Sequence, residues 1–132
     1  MTPKTMKKMK NAVAWFEIPA KKLSRAKKFY ESIFDIKMED MEMDNDLKMT
    51  MFPVEAGGVG GAICEHREFY KPSHEGSLVY ISANPDLQKV LDKVERNGGK
   101  IIQKKTIITD EYGYMAIIED TEGNRIALHS EH

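Results

Sequence analysis

The chain carries an internal repeat that covers most of its length. Residues 14–37 (AWFEIPAKKLSRAKKFYESIFDIK) and residues 77–100 (SLVYISANPDLQKVLDKVERNGGK) both indicate a strand, a helix and the start of a second strand. Phe16 aligns with Val79, which lies 63 residues later. A repeat of about half a chain predicts two similar modules that pack on each other, and the space between such modules is the natural place to look for a binding site.

Composition restricts the class of protein. A chain of 132 residues with 41% hydrophobic and 31% charged residues predicts one globular domain. The net charge is −1, and residues of both signs are interspersed along the chain. This argues against a nucleic-acid partner, because nucleic-acid binding needs a face of basic residues.

Cysteine content and the N-terminal residues predict the compartment. Cys64 is the only cysteine, so no intramolecular disulfide can form. No apolar run approaches the length of a membrane span, about 20 residues. The N-terminal residues MTPKTMKKMK lack the apolar segment of a secretory signal. Together these features predict a cytoplasmic protein with no membrane partner.

The hydrophobic pattern predicts the same order of elements in both halves, strand-helix-strand-strand-strand. The first half has a strand at Val13–Pro19, a helix at Leu23–Phe34, and strands at Ile36–Met43, Leu47–Phe52 and Ala62–His66, with turns at Asp44-Asn45-Asp46 and at Gly57–Gly61. The second half has a strand at Leu78–Ala83, a helix that stops at Asn97-Gly98-Gly99, and strands at Lys100–Ile107, Tyr114–Glu119 and Arg125–Ser130. The modules therefore cover about residues 12–66 and 77–130 of a single domain, with residues 67–76 as the linker.

The two predicted helices begin differently. Lys21 and Lys22 precede Leu23, where an Asp or Ser cap would stabilise the helix by about 1 kcal/mol. The second helix has a favourable start, with Asn84 as the predicted cap and Pro85 in the first helical position.

Three segments in this order, LSRAKKFYESIF, DKVERNGGKII and EDTEGNRIALH, resemble the vicinal oxygen chelate superfamily, which includes glyoxalase I, bleomycin-resistance proteins and extradiol dioxygenases. The resemblance extends from about Ala12 to Ser130 and is nearest to the small predicted enzymes related to lactoylglutathione lyase. It implies an α+β fold in which two β-α-β-β-β modules form an incomplete β-barrel around a cleft. It also implies a homodimer and a small-molecule ligand.

Strand alternation assigns side chains to the two faces of each sheet, because neighbouring residues of a strand point in opposite directions. The repeated apolar pairs are expected to pack beneath the helices: Phe16, Ile18, Val79, Ile81, Ile126 and Leu128. The residues between and beside them are expected to face the cleft: Trp15, Glu17, Ala62, Cys64, His66, Leu78, Tyr80, Arg125, Ala127 and His129.

The resemblance also implies where a metal would bind. Members of the superfamily that hold a metal place one ligand on each of four strands, and the matching positions here are Trp15, Cys64, Leu78 and Ala127. Trp, Leu and Ala have no group that coordinates a divalent ion, and one Cys does not make a site. We therefore predict no metal cofactor at the usual place. A displaced site made of Glu17, His66 and His129 stays open, because that mixture of donors suits a divalent metal.

Several residues of the cleft face could carry chemistry. Glu17 beside Trp15 could act as a proton-transferring base, with His129 and His66 as acid/base partners. Tyr80 and Tyr114 could donate hydrogen bonds to a ligand, and Trp15 and Cys64 could contact it. The structural alternatives are an exposed rim glutamate, surface histidines, core tyrosines and a buried cysteine. Five methionines (Met38, Met41, Met43, Met49 and Met51) could form an adaptable apolar wall, or could pack in the core or at a dimer contact.

Three functions remain open from the sequence. The chain could be a lyase- or isomerase-type enzyme that uses Glu17 as its base. It could instead bind and sequester a small aromatic or amphipathic compound, as bleomycin-resistance proteins do. It could also act only by association, and a cleft filled by its own side chains would favour that alternative.

Overall fold

A computed structural model of the chain describes residues 6–43 and 46–132, so the first five residues and Asp44 and Asn45 of the predicted turn lie outside the described residues. The predicted order of elements is confirmed. The first module contains β1 (Trp15–Pro19), α1 (Leu23–Phe34), β2 (Glu39–Glu42), β3 (Lys48–Met51) and β4 (Gly60–Glu65). The second contains β5 (Tyr80–Ser82), α2 (Leu87–Val94), a short 3₁₀ helix (Glu95–Asn97), β6 (Lys100–Thr109), β7 (Gly113–Glu119) and β8 (Arg125–Ser130).

Each module forms its own four-stranded sheet. The strand order is β1-β4-β3-β2 in the first sheet and β5-β8-β7-β6 in the second. β1 runs parallel to β4 and β5 runs parallel to β8, whereas the remaining pairs are antiparallel. The repeat therefore extends to topology, and β1 and β5 are edge strands at matching positions. The α+β class is confirmed, and neither sheet closes into a barrel.

One hydrophobic core joins the modules on the helix side of the sheets. Ile18 and Ile81 are buried in this core, and Phe16 and Val79 pack against it. The helices contribute their predicted stripes: Ala26, Phe29, Tyr30 and Ile33 from α1, and Leu87, Val90, Leu91 and Val94 from α2. Because the core contains residues of both repeats, neither module buries its apolar face without the other.

The glycine segment before β4 is partly strand rather than turn. Gly57 has a φ of +84° and supports the predicted turn, but β4 begins at Gly60. A Cβ at Gly61 would lie 2.4 Å from the ring of Phe16, so a side chain there would clash with the core. Glycine at this position therefore allows the aromatic ring to pack directly on the strand.

The first helix is capped from distant parts of the chain. Lys22 precedes α1 and gives no side-chain cap, as expected. Oε1 of Glu122 accepts hydrogen bonds from the amides of Lys21 (2.9 Å) and Lys22 (2.8 Å), and Glu65 accepts from the amide of Leu23 (2.6 Å). Carboxylates at a helix N-terminus also interact favourably with the helix dipole. The missing local cap is thus supplied by two acidic side chains that are remote in sequence.

The predicted cap of the second helix was wrong. α2 begins after Asp86, whose carboxylate accepts from the Gln88 amide at 2.9 Å. Asn84 instead accepts from the amide of Glu131 at 2.7 Å, and so binds the C-terminal residues to the start of the helix. The helix end was predicted correctly, because Gly98 adopts the left-handed conformation with φ +97°. No helix of the described residues is long and apolar enough to span a membrane.

Glu122 forms the centre of a polar cluster between the modules. Its buried carboxylate accepts hydrogen bonds from Nε and Nη2 of Arg25, at 2.7 and 3.0 Å. Next to it, the buried Tyr30 hydroxyl donates to Asp120 at 2.7 Å. Burial alone would raise the pKa of Glu122, but hydrogen bonds from Arg25, the Lys22 amide and Thr121 outweigh burial and hold its pKa below the usual value. The ionised carboxylate therefore stabilises the contact between the modules.

Replacing Glu122 by glutamine should lower the free energy of unfolding by about 2 kcal/mol at pH 7, because Arg25 and two amides lose an ionised acceptor. The lowered folded-state pKa means that this stabilisation is present above the usual pKa of 4.5 and is lost as the pH falls through the folded-state value. Urea unfolding of both proteins, followed by circular dichroism between pH 7 and pH 4, measures the difference.

The matched control is Glu95→Gln in the exposed 3₁₀ helix, which should change stability by less than about 0.5 kcal/mol. Equal stabilities of the Glu122→Gln and Glu95→Gln variants at pH 7 would contradict the capping role of Glu122.

Candidate functional site

The helix-free face of the first sheet, which is the face opposite α1, presents a small polar cluster. The Trp15 indole Nε1 donates to Oε2 of Glu17 at 3.2 Å. The Tyr70 hydroxyl donates to Oε1 of Glu17 at 2.5 Å. Tyr70 comes from the linker after β4 and also packs on buried Cys64 and Met49. Trp15 and Glu17 are therefore on the predicted face, and a tyrosine that the sequence analysis did not consider fixes the carboxylate.

The thiol in this cluster has little nucleophilic character. Burial, with a smaller contribution from the nearby Glu17 carboxylate, raises the pKa of Cys64 to about 12. The hydrogen bond to Glu17, together with partial burial, raises the pKa of Tyr70 well above its usual value. Both groups stay protonated near neutral pH, so Tyr70 acts as a donor and Cys64 acts as an apolar packing residue.

The predicted residues of the second sheet lie apart from this cluster. Tyr80 and His129 are on the helix-free face, with Tyr80 beside the buried Ala127 in register and half exposed. Nε2 of His129 lies 2.5 Å from the Tyr112 carbonyl. Since a carbonyl only accepts, Nε2 carries the hydrogen in this contact. Within the described residues, no histidine hydrogen-bonds to Glu17.

The contacts of two other predicted residues, His66 and Tyr114, indicate structural roles. His66 lies in the turn after β4, where its Nδ1 accepts from the Glu68 amide at 3.1 Å and its ring contacts Phe69. Tyr114 lies on the helix-facing side, packs against the core and carries the Lys105 ammonium 4.5 Å above its ring. His66 therefore stabilises a turn and Tyr114 packs on the core, which favours the structural alternative over ligand contact for both residues.

A cavity with a volume of about 850 Å³ lies between the modules. Most of its wall is apolar. Its lining includes Val13, Phe16, Phe34, Phe52 and Val54 from the first module, and Leu78, Val79, Tyr80, Ile81, Asn84 and Val90 from the second. Apart from Tyr80, none of its lining residues carries a titratable side chain.

This cavity differs from the predicted one on the side of the first module. Trp15 and Glu17 were expected to share a hollow with Leu78 and Tyr80, but the first module lines the cavity with Phe16 instead. Tyr80 and Ile81, from opposite faces of β5, both line the cavity, whereas β1 lines it only with Phe16 from its helix-facing side. Alternation in a strand assigns faces but does not reveal which face borders the gap between modules.

The side chains at the expected metal positions do not fit a metal ion. Trp15 is engaged with Glu17, Cys64 is a buried protonated thiol, and Ala127 is fully buried. Leu78 has no donor atom. In residues 6–43 and 46–132, no group of three His, Cys, Asp or Glu side chains is arranged to hold a metal, so Glu17, His66 and His129 do not converge within one chain.

Comparisons with known proteins agree with this architecture. The model of the Glyoxalase/Bleomycin resistance protein/Dioxygenase superfamily matches residues 12–128. No curated protein matches the chain.

Solved structures share the fold at low sequence identity. The hypothetical protein SA1046 from S. aureus superposes with a TM-score of 0.67 and 18% identity, over 91% of this chain and 94% of the other. A glyoxalase/bleomycin resistance protein/dioxygenase family enzyme from Burkholderia phytofirmans PsJN superposes with a TM-score of 0.65 and 14% identity, over 90% of this chain and 98% of the other. Glyoxalase I from Zea mays superposes with a TM-score of 0.69 and 18% identity, over 89% of this chain and 43% of the other. This chain therefore spans less than half of that protein.

Untagged protein that is incubated with excess Zn²⁺ or Ni²⁺ and then desalted should retain well under one metal ion per chain, because three of the four expected ligand positions lack a donor. Elemental analysis of protein before and after incubation provides the measurement. Stoichiometric metal that survives desalting would show that the chain binds metal through other residues.

Proposed function

The chain belongs to the Glyoxalase/Bleomycin resistance protein/Dioxygenase superfamily, and within it we propose that this protein binds a small, mainly apolar molecule in the cavity between its two modules. The observation that carries the proposal is the cavity itself, with about 850 Å³ and aromatic side chains from both modules. Ligand sites of proteins have volumes of about 300–1,000 Å³ and largely apolar walls.

Aromatic side chains give this cavity its binding surface. The rings of Phe16 and Phe52 pack 5.5 Å apart on the first module, and the half-exposed ring of Tyr80 lies on the second. Large aromatic surfaces bind apolar rings by burial and by offset or edge contacts. Ser82 and Asn84 also border the cavity and offer a few polar atoms to orient a ligand. Such a wall suits a flat aromatic compound.

The lining residues also determine what the cavity does with its ligand. Among the described residues, no carboxylate, histidine or thiol lines it, so the wall offers no general base to activate the hydroxyls of Ser77 and Ser82. Binding alone therefore explains the wall better than acid–base chemistry does. A space filled by the protein's own side chains would have favoured an association-only role.

A homodimer, which the resemblance implies, is a further proposal. β1 and β5 are edge strands at matching positions of the two modules, and exposed sheet edges favour pairing with another chain. Sedimentation equilibrium should then give twice the chain mass of 15.1 kDa; a single species of 15.1 kDa would exclude the dimer.

Placement in the cytoplasm stays a prediction from the single cysteine and the N-terminal residues.

A lyase-type reaction at Glu17 is the second candidate function. It is favoured by one observation, the fixed orientation of the Glu17 carboxylate by Trp15 and Tyr70. For a substrate found by screening, Glu17→Gln should then abolish turnover, whereas Glu42→Gln on the opposite face of the first sheet should not. Unchanged turnover in Glu17→Gln would remove Glu17 as the base.

Replacing Tyr80 by serine should weaken the binding of N-phenyl-1-naphthylamine, a neutral fluorescent probe, by about five-fold, because one aromatic wall of the cavity is lost. Tyr80 is 51% exposed, so the replacement should leave the fold intact. Fluorescence titration of the probe, with circular dichroism of each variant, measures both effects.

Tyr112→Ser is the matched control, because Tyr112 is 62% exposed and does not line the cavity. Equal probe affinity in wild type and Tyr80→Ser, or no binding to wild type at all, would overturn the cavity proposal.

A further inference from the structure

The segment that leads into β1 borders the cavity between the modules. Val13, two residues before β1, lines the cavity and is 51% exposed. The chain reaches Val13 through residues 6–12, which are exposed and belong to no helix or strand. Since one residue of chain spans at most about 3.6 Å, the backbone of Lys10 lies within about 11 Å of Val13. Side chains near residue 10 are therefore within reach of a molecule that extends out of the cavity.

Two methionines of this segment expose apolar surface near the cavity. Met6 is 81% exposed and Met9 is 71% exposed. Methionine side chains are flexible and polarizable, so they adapt to ligands of different shape. An apolar ligand at Val13 would give these side chains a surface on which to pack.

The same segment carries three positive charges without a partner. Lys7, Lys8 and Lys10 are exposed, and in the part of the chain that the structure describes none of them forms an ion pair. Their ammonium groups are therefore available to a negatively charged group of a ligand.

The matching segment of the second module is fastened to the sheets. At the repeat spacing of 63 residues, residues 6–13 correspond to residues 69–76 of the linker. There the Tyr70 hydroxyl donates to Glu17, and Nε2 of His74 lies 2.6 Å from Glu119. The lysines before β1 have no such contacts among the described residues, which distinguishes the two ends of the gap between the modules.

The wall of the cavity restricts where a ligand could carry charge. Among the described residues, no lining side chain is charged at neutral pH. An ionised group held against this apolar wall would lose its hydration at a high cost, so it has to remain at the opening. Near the lining, charges of both signs occur, with Asp35 and Lys37 beside Ile36 and Glu55 beside Val54. The three lysines before Val13 add an excess of positive charge.

We propose that the ligand of this cavity is an amphipathic anion, with its apolar body between the modules and its acidic group at the opening beside Lys7, Lys8 and Lys10. This inference rests on the proposed function and deepens it, because it names the chemical class of the ligand. Aromatic or aliphatic acids then bind better than neutral compounds of the same framework.

Two fluorescent probes with one aromatic framework test the proposal. N-Phenyl-1-naphthylamine is neutral, and 8-anilino-1-naphthalenesulfonate adds a sulfonate to the same rings. We expect the triple variant Lys7→Gln/Lys8→Gln/Lys10→Gln to weaken binding of the sulfonate probe about five-fold and to leave the neutral probe unchanged. Raising the ionic strength from about 0.05 M to about 0.5 M should likewise weaken only the sulfonate probe, because salt screens exposed charges.

Two control variants locate the effect. Lys28→Gln/Lys100→Gln/Lys104→Gln removes three exposed charges whose sequence neighbours do not line the cavity, so neither probe should change affinity. Tyr80→Ser should weaken both probes, because both place their rings in the cavity.

The outcomes separate this inference from the proposed function. If the neutral probe does not bind wild type, the proposed function fails and the inference fails with it. If the neutral probe binds, the inference alone is overturned by any of three results: unchanged sulfonate affinity in the first triple variant, an equal loss in the control triple variant, or a Tyr80→Ser variant that weakens only the neutral probe.

Discussion

The buried carboxylate of Glu122 is the contact on which the arrangement of the two modules depends. It belongs to the turn before β8, yet it caps the helix of the first module and binds Arg25 of that helix. Without it, the amides of Lys21 and Lys22 at the start of α1 would lose their acceptor. Only the next amide, that of Leu23, would keep one, because it donates to Glu65. Since unpaired amides at a partly buried helix start are costly, the carboxylate fixes the position of α1 relative to the second module.

The proposed ligand binding rests on the side chains that line the gap between β1 and β5. A chain in which the edges of β1 and β5 paired directly would have one continuous sheet and no cavity between its modules. Here the edges stay apart and the space between them is lined by Phe16, Phe52 and Tyr80. The superfamily fold is thus retained, while the positions that hold metal ligands in some members carry Trp15, Leu78 and Ala127. The same fold can support ligand binding without the chemistry of a metal, because function depends on the side chains of the site.

Much of the fold could be predicted from the sequence because its signals are local. Helix α1 at Leu23–Phe34 and strand β8 at Arg125–Ser130 have the predicted bounds, since their apolar periodicity and the flanking turns are contained in short segments. The sorting of Phe16 and Ile18 to the helix side also follows from alternation alone. The wrong cap at Asn84 has a local cause as well, since Asp86, two residues later, competes for the same role.

The interactions that the sequence did not reveal join residues far apart in the chain. Glu122 caps amides about one hundred residues earlier, and Tyr70 reaches Glu17 from a linker that was considered only as a connection. No periodicity encodes either contact. The cavity depends on the distance between two edge strands, which strand alternation leaves undefined.

The most direct test of ligand binding between the modules is a crystal structure of the protein with N-phenyl-1-naphthylamine bound. Electron density for the probe is expected between the rings of Phe16 and Tyr80, with α1 and the Glu122 contacts unchanged. Density for the probe elsewhere, together with a gap that the protein's own side chains fill, would contradict it.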